Sequence, residues 1–343
     1  MTPPAAARPP RRSTLADVAA LAQVDRSVVS RLINNDPALS IRESTRKRVL
    51  DAIAMLGYRP HAAARSLRTA RTRTLGLLIP DFANPVYAEI IKGAEQAAAA
   101  VGSALVTGSA SAGGNAQTYL SLLGDGRVDG LLLATGISTA EEAELARLRL
   151  PWLLLNRSGE GHRHVTLDDE RAAAIAVEHL VALGHTRIGH LAGPRGADTA
   201  RRRRAGYTRA VRRAGLAAES GLVVAADYTA EGGATAMTRL LRLPQPPTAV
   251  FVANVASAIG ALHAAQEHRV RVPGDVSVIA VHDLPLAAYL APPLTTVRMP
   301  LVRLGARAVE LLLGSDPDAP ITETVREPIE LVLRDSTAPA GSR

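Results

Sequence analysis

Four side chains within six residues, Arg26, Ser27, Ser30 and Arg31, set two fixed positive charges beside two hydroxyls. Their spacing places them on one face of a helix. A guanidinium can engage guanine O6 and N7 together through its planar fork, and hydroxyls and other basic groups can hold phosphates. The chemistry on offer is recognition of a nucleic acid. Covalent chemistry has no comparable set. There is no cysteine, which removes disulfides, thiolate metal sites and a thiol nucleophile. No GxGxxG opens a helix after a strand, and no GxxxxGK(S/T) phosphate loop, GxSxG elbow or HExxH pair occurs. The nine histidines are scattered along the chain. No metal, no cofactor and no enzyme activity are expected.

Those four residues need a short helix braced by another. Thr14-Leu15-Ala16-Asp17 starts a first helix as a capping box, with Thr14 as N-cap and Asp17 reaching back. Leu15, Val18, Ala19 and Ala22 recur on one face. A turn passes through Gln23 and Val24, and Asp25 caps the second helix. Val29, Leu32 and Ile33 form the buried side of that helix. A third helix runs from about Arg42 to Leu56, with Val49, Ile53 and Leu56 inward, and ends at Gly57. A corner of this size offers its second helix to the major groove. The charge agrees. Residues 1–73 carry 14 Lys/Arg against 5 Asp/Glu, a balance of +9. Residues 74–343 carry 26 against 27, a balance of −1. All of the basic excess therefore sits in the N-terminal segment, as in a nucleic-acid-binding module attached to a near-neutral body.

From Thr74 onward, short apolar runs alternate with Ala-rich helical stretches. LGLLIP, ALVTGS, DGLLLA and PWLLLNR form a first series, with helices from about Val86 and near Gln117. After a helix from about Ala172 to Leu183, RIGHLAG, LVVAAD, TAVFVAN and VSVIAVHD form a second. Continuous apolar strands separated by helices imply parallel sheets covered on both faces, one per lobe. Ligands of such sheets gather at the carboxyl ends of the strands. Hydrophobic residues make up 47% of the chain but aromatics only 3%, so Ala, Leu and Val must fill the cores. Met1 to Ser13 is rich in Pro and Arg and lacks the apolar run of a signal peptide. No stretch reaches the roughly 20 apolar residues of a membrane helix. A soluble, cytoplasmic, nucleoid-associated protein is expected.

VAALAQVDRSVVSRLIN, followed by RKRVLDAIAMLGYRPHAAARSLRT, resembles the DNA-binding headpiece of the lac/galactose repressor (LacI/GalR) family of transcriptional regulators. IPDFANPVYAEIIKGAE, VDGLLL, VEHLVALGHTRIGHLAGP, AVFVAN, VPGDVSVIAVHDLPLA and PPLTTVRMP resemble the effector domain of the same family. The likeness runs from Thr14 to about Thr337. It implies an all-α helix-turn-helix headpiece plus an α/β, two-lobed, periplasmic-binding-protein-like (type I) effector domain. The expected domains are a disordered basic arm (1–13), the headpiece (14–59), a hinge helix and linker (60–73), an effector-binding and dimerisation domain (74–337) and a flexible tail (338–343). The implied function is sequence-specific regulation of transcription, most often repression. Operator affinity is set by a small molecule, a sugar or sugar derivative, held between the lobes. The implied partners are double-stranded DNA with a pseudo-palindromic operator, that effector and a second copy of the chain, without a membrane.

Carried over by position, Arg26 and Ser27 are the variable base readers, Arg31 is the arginine that meets guanine, and Ser30 holds phosphate. Thr14, Asn34, Tyr58, His61, Ala64 and Arg68 complete the implied DNA-binding set. Leu67 is the wedge that hinge helices drive into a minor-groove base step. For the effector the resemblance implies Asp81, Asn84, Val86 and Tyr87 after the first strand, and Asn156 and Arg157 at the end of the fourth. Asp168, Arg203, Asn254 and His282 complete that set. Asp168 reads equally well as a helix N-cap, and three of Arg201 to Arg204 read as a solvated helix face. The chain departs from the family pattern at Gln23, Asp25 and Val28 in the headpiece, and at Asn156, Val255 and His282 in the cleft. The last three remove carboxylates. A cleft short of acceptor-only groups suits an anionic ligand or an atypical sugar better than a plain neutral sugar. A transport receptor has no use for residues 14–67, and a sugar- or nucleotide-modifying enzyme lacks its nucleophile, metal and phosphate loop.

Overall fold

A computed structural model of the chain describes residues 13–34, 36–58, 71–110, 119–120, 126–314, 316, 319–326 and 328–341. The chain divides into two compact units between Thr72 and Arg73. His61, Ala64, Leu67 and Arg68 of the expected hinge helix lie outside the described residues, as do the basic arm through residue 12 and Gln117.

In the first unit, α1 (Leu15–Ala22), α2 (Arg26–Ile33) and α3 (Glu43–Leu56) pack around one small core. The capping box is complete. Thr14 N and Oγ1 both donate to Asp17 Oδ2 at 2.7 Å, and Asp17 N donates back to Thr14 Oγ1 at 3.3 Å. α1 stops because Gln23 turns left-handed, with φ 52° and ψ 49°. That conformation crowds any residue with a Cβ. Asp25 Oδ1 then accepts Ser27 N at 2.8 Å and starts α2. Apolar spacing buries Val18, Ala19, Ala22, Val29, Leu32, Val49 and Ala52 against one another, with Ile53 and Leu56 partly buried beside them. Helices this short hold because of such packing rather than their own propensity.

The second unit has two six-stranded sheets. The first holds β1 (Thr74–Ile79), β2 (Ala104–Ser109), β3 (Gly130–Leu133), β4 (Trp152–Leu155), β5 (His164–Leu167) and β11 (Thr322–Val325). Its order is β11-β5-β4-β3-β1-β2, all parallel. The second holds β6 (Ile188–Ala192), β7 (Val223–Ala225), β8 (Ala249–Val252), β9 (Ser277–Val281), β10 (Thr295–Arg298) and β12 (Glu330–Val332). Its order is β12-β10-β9-β8-β6-β7, parallel except for β12. The helices are α4 (Val86–Ala100), α5 (Thr139–Leu148), α6 (Asp169–Ala182), α7 (Asp198–Arg213), α8 (Ala230–Leu241), α9 (Val255–Glu267) and α10 (Leu301–Gly314). The chain leaves the first lobe after β5 and builds most of the second. It then returns, with α10 packed on α4 and β11 paired to β5.

α7 carries the arginine run, and Gly206 sets how closely it approaches α6. A Cβ at Gly206 would overlap the Glu170 carbonyl. The missing side chain thus brings α7 to within ion-pairing distance of the start of α6.

Residues 338–340, expected as flexible tail, are instead tied to the second lobe. His185 Nε2 donates to Ala338 O at 3.0 Å, Ala338 N to Ser277 Oγ at 3.0 Å, and Ala340 N to Leu183 O at 2.8 Å. Backbone groups make most of these bonds, so side-chain composition gave no sign of them.

Candidate functional site

Thr14, Leu15, Ala16, Arg26, Ser27 and Ser30 line one groove of about 510 Å³ on the headpiece. The N-termini of α1 and α2 both open on it. Unpaired amides and the positive helix ends make such a place receptive to phosphate. Asp25 stands at its edge, ionised below the usual carboxylate range because it accepts hydrogen bonds from Ser27. Arg31 is exposed and donates from Nε to Asp36 Oδ2 at 2.8 Å. Asn34, the C-cap of α2, turns its Nδ2 back onto the Ser30 carbonyl. Tyr58 is 9% exposed, and its ring packs in the headpiece core.

In the second unit the candidate cleft residues meet at the carboxyl ends of the strands. Arg203 is 2% exposed, and its Nε donates to Asp169 Oδ1 at 2.7 Å. Its Nη1 donates to Ala253 O at 2.6 Å and its Nη2 to His282 Nε2 at 3.1 Å. Burial opposes the Arg203 charge, but the Asp169 carboxylate outweighs it and holds the guanidinium above its ordinary pKa. His282, with φ 76° and 2% exposed, follows β9. Burial first, and then the Arg203 charge, push its imidazole well below the usual histidine range. The arginine must donate, so His282 Nε2 accepts and the proton sits on Nδ1. That N–H is buried and has no hydrogen-bond partner among the described residues. Where the family has an acceptor carboxylate, this chain has a neutral donor.

Two carboxylates, Asp169 and Asp198, escaped the sequence reading. Asp168 is the N-cap of α6, accepting Arg171 N at 2.9 Å, while its neighbour Asp169 is 0% exposed and faces the arginines. Either aspartate of VTLDDE can cap; the start of the helix decides which one turns inward. Asp198, 9% exposed, pairs with Arg201 and Arg202. Arg202 also reaches Asp169 Oδ2 at 2.6 Å, so two of the four arginines leave the solvated face, not one. The cleft thus holds two carboxylates that the sequence comparison did not point to, both engaged by arginines of α7.

The lobes also touch directly. Ser158 N after β4 donates to Asp198 Oδ2 at 2.9 Å, and Arg202 Nη2 donates to Asn156 Oδ1 at 3.4 Å. Asn156, with φ 56°, is itself buried. Tyr87 lies beside Arg157, and burial still pushes its phenol up. Arg157 Nε donates to Ala134 O at 3.0 Å. Asn254 is occupied structurally: its Oδ1 accepts Ser257 N and its Nδ2 donates to Tyr228 O. Tyr228, absent from the expected set, is held so that its ring centroid lies 5.9 Å from the Arg203 guanidinium carbon. Asp81 and Asn84 accept Ala83 N and Val86 N in the turn before α4, and Val86 packs in the core. Val255 is also a core residue. His190 on β6 is fully buried between Tyr207 and Phe251, with ring centroids 4.9 and 4.6 Å away, and desolvation lowers its pKa to about 4.

Among the described residues no helix is long and apolar enough to cross a membrane. Residues 14–61 match the model for bacterial regulatory proteins of the lacI family, and residues 177–337 match a periplasmic binding protein-like domain. The chain is 33% identical over 331 residues to catabolite control protein A of Priestia megaterium, covering 94% of this chain and 99% of the relative. It is 36% identical over 308 residues to the ribose operon repressor of Escherichia coli (strain K12), covering 88% and 92%. The solved lac repressor dimer bound to operator and the anti-inducer ONPF superposes with a TM-score of 0.83 at 29% identity, covering 96% of this chain and 100% of that one.

Proposed function

The chain belongs to the lacI family of bacterial regulatory proteins and is a DNA-binding transcriptional regulator, and we propose that it is a cytoplasmic repressor that meets its operator as a homodimer and answers a sugar or sugar derivative. One observation carries the reading. A headpiece whose two helix N-termini share a groove lined by Thr14, Arg26, Ser27 and Ser30 is joined to a body whose buried Arg203 sits at the strand ends of two sheets. In this reading Arg26, Ser27 and Arg31 meet base edges, while Thr14 and Ser30 meet phosphates. Tyr87, Asn156, Arg157, Arg203 and His282 surround the effector. His282 Nδ1–H offers a donor to a ligand acceptor, and Asp169 keeps Arg203 charged and fixed. A neutral polyol fits this wall, because Arg202 and Arg203 already have carboxylate partners. We read no catalytic step into these groups, which bind and orient.

Control follows from the lobes. An effector that alters the contacts of Asn156 and Ser158 with α7 changes lobe closure and so the state of the DNA-binding end. Effector and operator must then shift each other's affinity by one coupling free energy, typically about 1–3 kcal/mol.

The test is capture of fragmented genomic DNA by the full chain across a range of salt, with and without pentoses and hexoses. The expected result is steep loss of bulk binding with salt, retention of a few fragments, and a sugar that changes their retention. Capture with no preferred fragment at any salt would overturn the reading.

A further inference from the structure

The Arg31–Asp36 pair has a geometry that bears on how bases are discriminated. Asp36 lies three residues beyond the end of α2 and is held by its own backbone. Its N donates to Arg31 O at 3.0 Å, and its O accepts Leu39 N at 3.0 Å. Its carboxylate is divided. Oδ1 accepts Ala38 N at 2.9 Å, and Oδ2 accepts Arg31 Nε at 2.8 Å. Arg31 is therefore gripped along its Nε edge by an acceptor that the turn has already fixed. The Arg31 side chain keeps 44% of its surface exposed, and its bond to Asp36 is made through Nε, not through the Nη1–Nη2 edge.

We propose that Asp36 is a positioning residue for base discrimination, orienting Arg31 so that its Nη1–Nη2 edge meets guanine. This rests on Arg31 being a base reader. A free arginine loses rotamer freedom when it docks, whereas a pinned one has already lost much of it. A bidentate contact to O6 and N7 depends on the plane of the fork, and a carboxylate on Nε fixes that plane. The same carboxylate repels phosphate at every sequence. Asp36 should thus lower affinity for arbitrary DNA while sharpening the choice of one base pair. Arg26 provides a contrast within the same helix: its charge acts on the neighbouring cap Asp25 and not on a carboxylate held in the turn after the helix.

The experiment selects binding sites for the full chain from a randomised duplex pool, comparing wild type with Arg31→Ala, Asp36→Asn and Asp36→Ala. Asn retains an oxygen for Ala38 N but loses the charge on Arg31, so Asp36→Asn separates positioning from turn formation. Arg31→Ala should erase a guanine preference at one position of each half-site. Asp36→Asn should weaken that same preference about three- to tenfold, leave the other positions unchanged and tighten binding to random duplex. Loss of the preference in Arg31→Ala but its retention in Asp36→Asn would overturn the positioning role. A uniform loss across all positions in Asp36→Asn would assign Asp36 to the fold and overturn it equally. Unchanged preferences in Arg31→Ala would instead remove the underlying reading of Arg31. Thermal unfolding of each variant is followed alongside, and Asp36→Ser, which also keeps a short acceptor, is scored in the same way if Asp36→Asn loses helix.

Discussion

Arg31 in the headpiece and Arg203 in the body are both paired through Nε to an aspartate, at 2.8 and 2.7 Å, yet the two pairs have little else in common. Asp36 is five residues from Arg31, and that pair is open to water. Asp169 is 34 residues from Arg203, and that pair is closed off with a backbone carbonyl and a neutral histidine around it. An exposed pair adds little to stability and can be exchanged at small cost. A buried charge that loses its partner is strongly destabilising. The headpiece can therefore change what it reads one side chain at a time. The body must change its cleft as a set.

The largest effect that would test this contrast is Asp169→Ala. It strands Arg203 inside the body and should cost about 3–5 kcal/mol, read by denaturant unfolding of the full chain. A loss below about 1 kcal/mol would show that the two arginines are equivalent after all. Acid is the next test. The folded body holds His190 and His282 neutral, whereas the unfolded chain protonates them below about pH 6.5. Their contribution is complete above that pH and is lost as pH falls towards the depressed folded values. His190 alone should account for about 3 kcal/mol by its folded pKa of about 4. Residues 14–58 contain no histidine, so between pH 7 and 5 the body should weaken more than the headpiece. Equal slopes for the two unfolding transitions would break the contrast.

Smaller effects belong to the headpiece. Thr14→Ala removes the capping box and should cost about 1 kcal/mol of headpiece stability, leaving the body transition in place. Gln23→Gly relieves a left-handed side chain and should stabilise the headpiece by about 0.5–1 kcal/mol. A shift of the body midpoint by either variant would mean that the units are energetically coupled.

The same contrast explains what the sequence made legible. Thr14 with Asp17, Asp25 as a cap and the apolar face of α1 are all settled within four residues, so their types and spacing suffice. Arg203 and His282 were found through likeness to a family, not through spacing. Asp169 was missed for its neighbour because helix phase is set by packing against α7, not by VTLDDE. Tyr228, with φ 65°, is placed by a hydrogen bond from Asn254 that no local pattern announces. β11 and β12 are short and lack buried apolar runs, and only pairing with distant strands makes them strands. β5, β10 and α10 likewise take their places from pairing and packing with distant elements.

The return of the chain to the first lobe also fixes an order of manufacture. The headpiece is complete once Tyr58 has left the ribosome. The first lobe waits for β11, and the second for β12 and the stitches at Ala338 and Ala340. At about 5–20 residues per second, roughly a quarter of a minute to a minute separates these events. Every newborn chain thus carries a folded headpiece before it has a control. Any nonsense codon that cuts the message before Thr322 would release the headpiece with neither lobe complete.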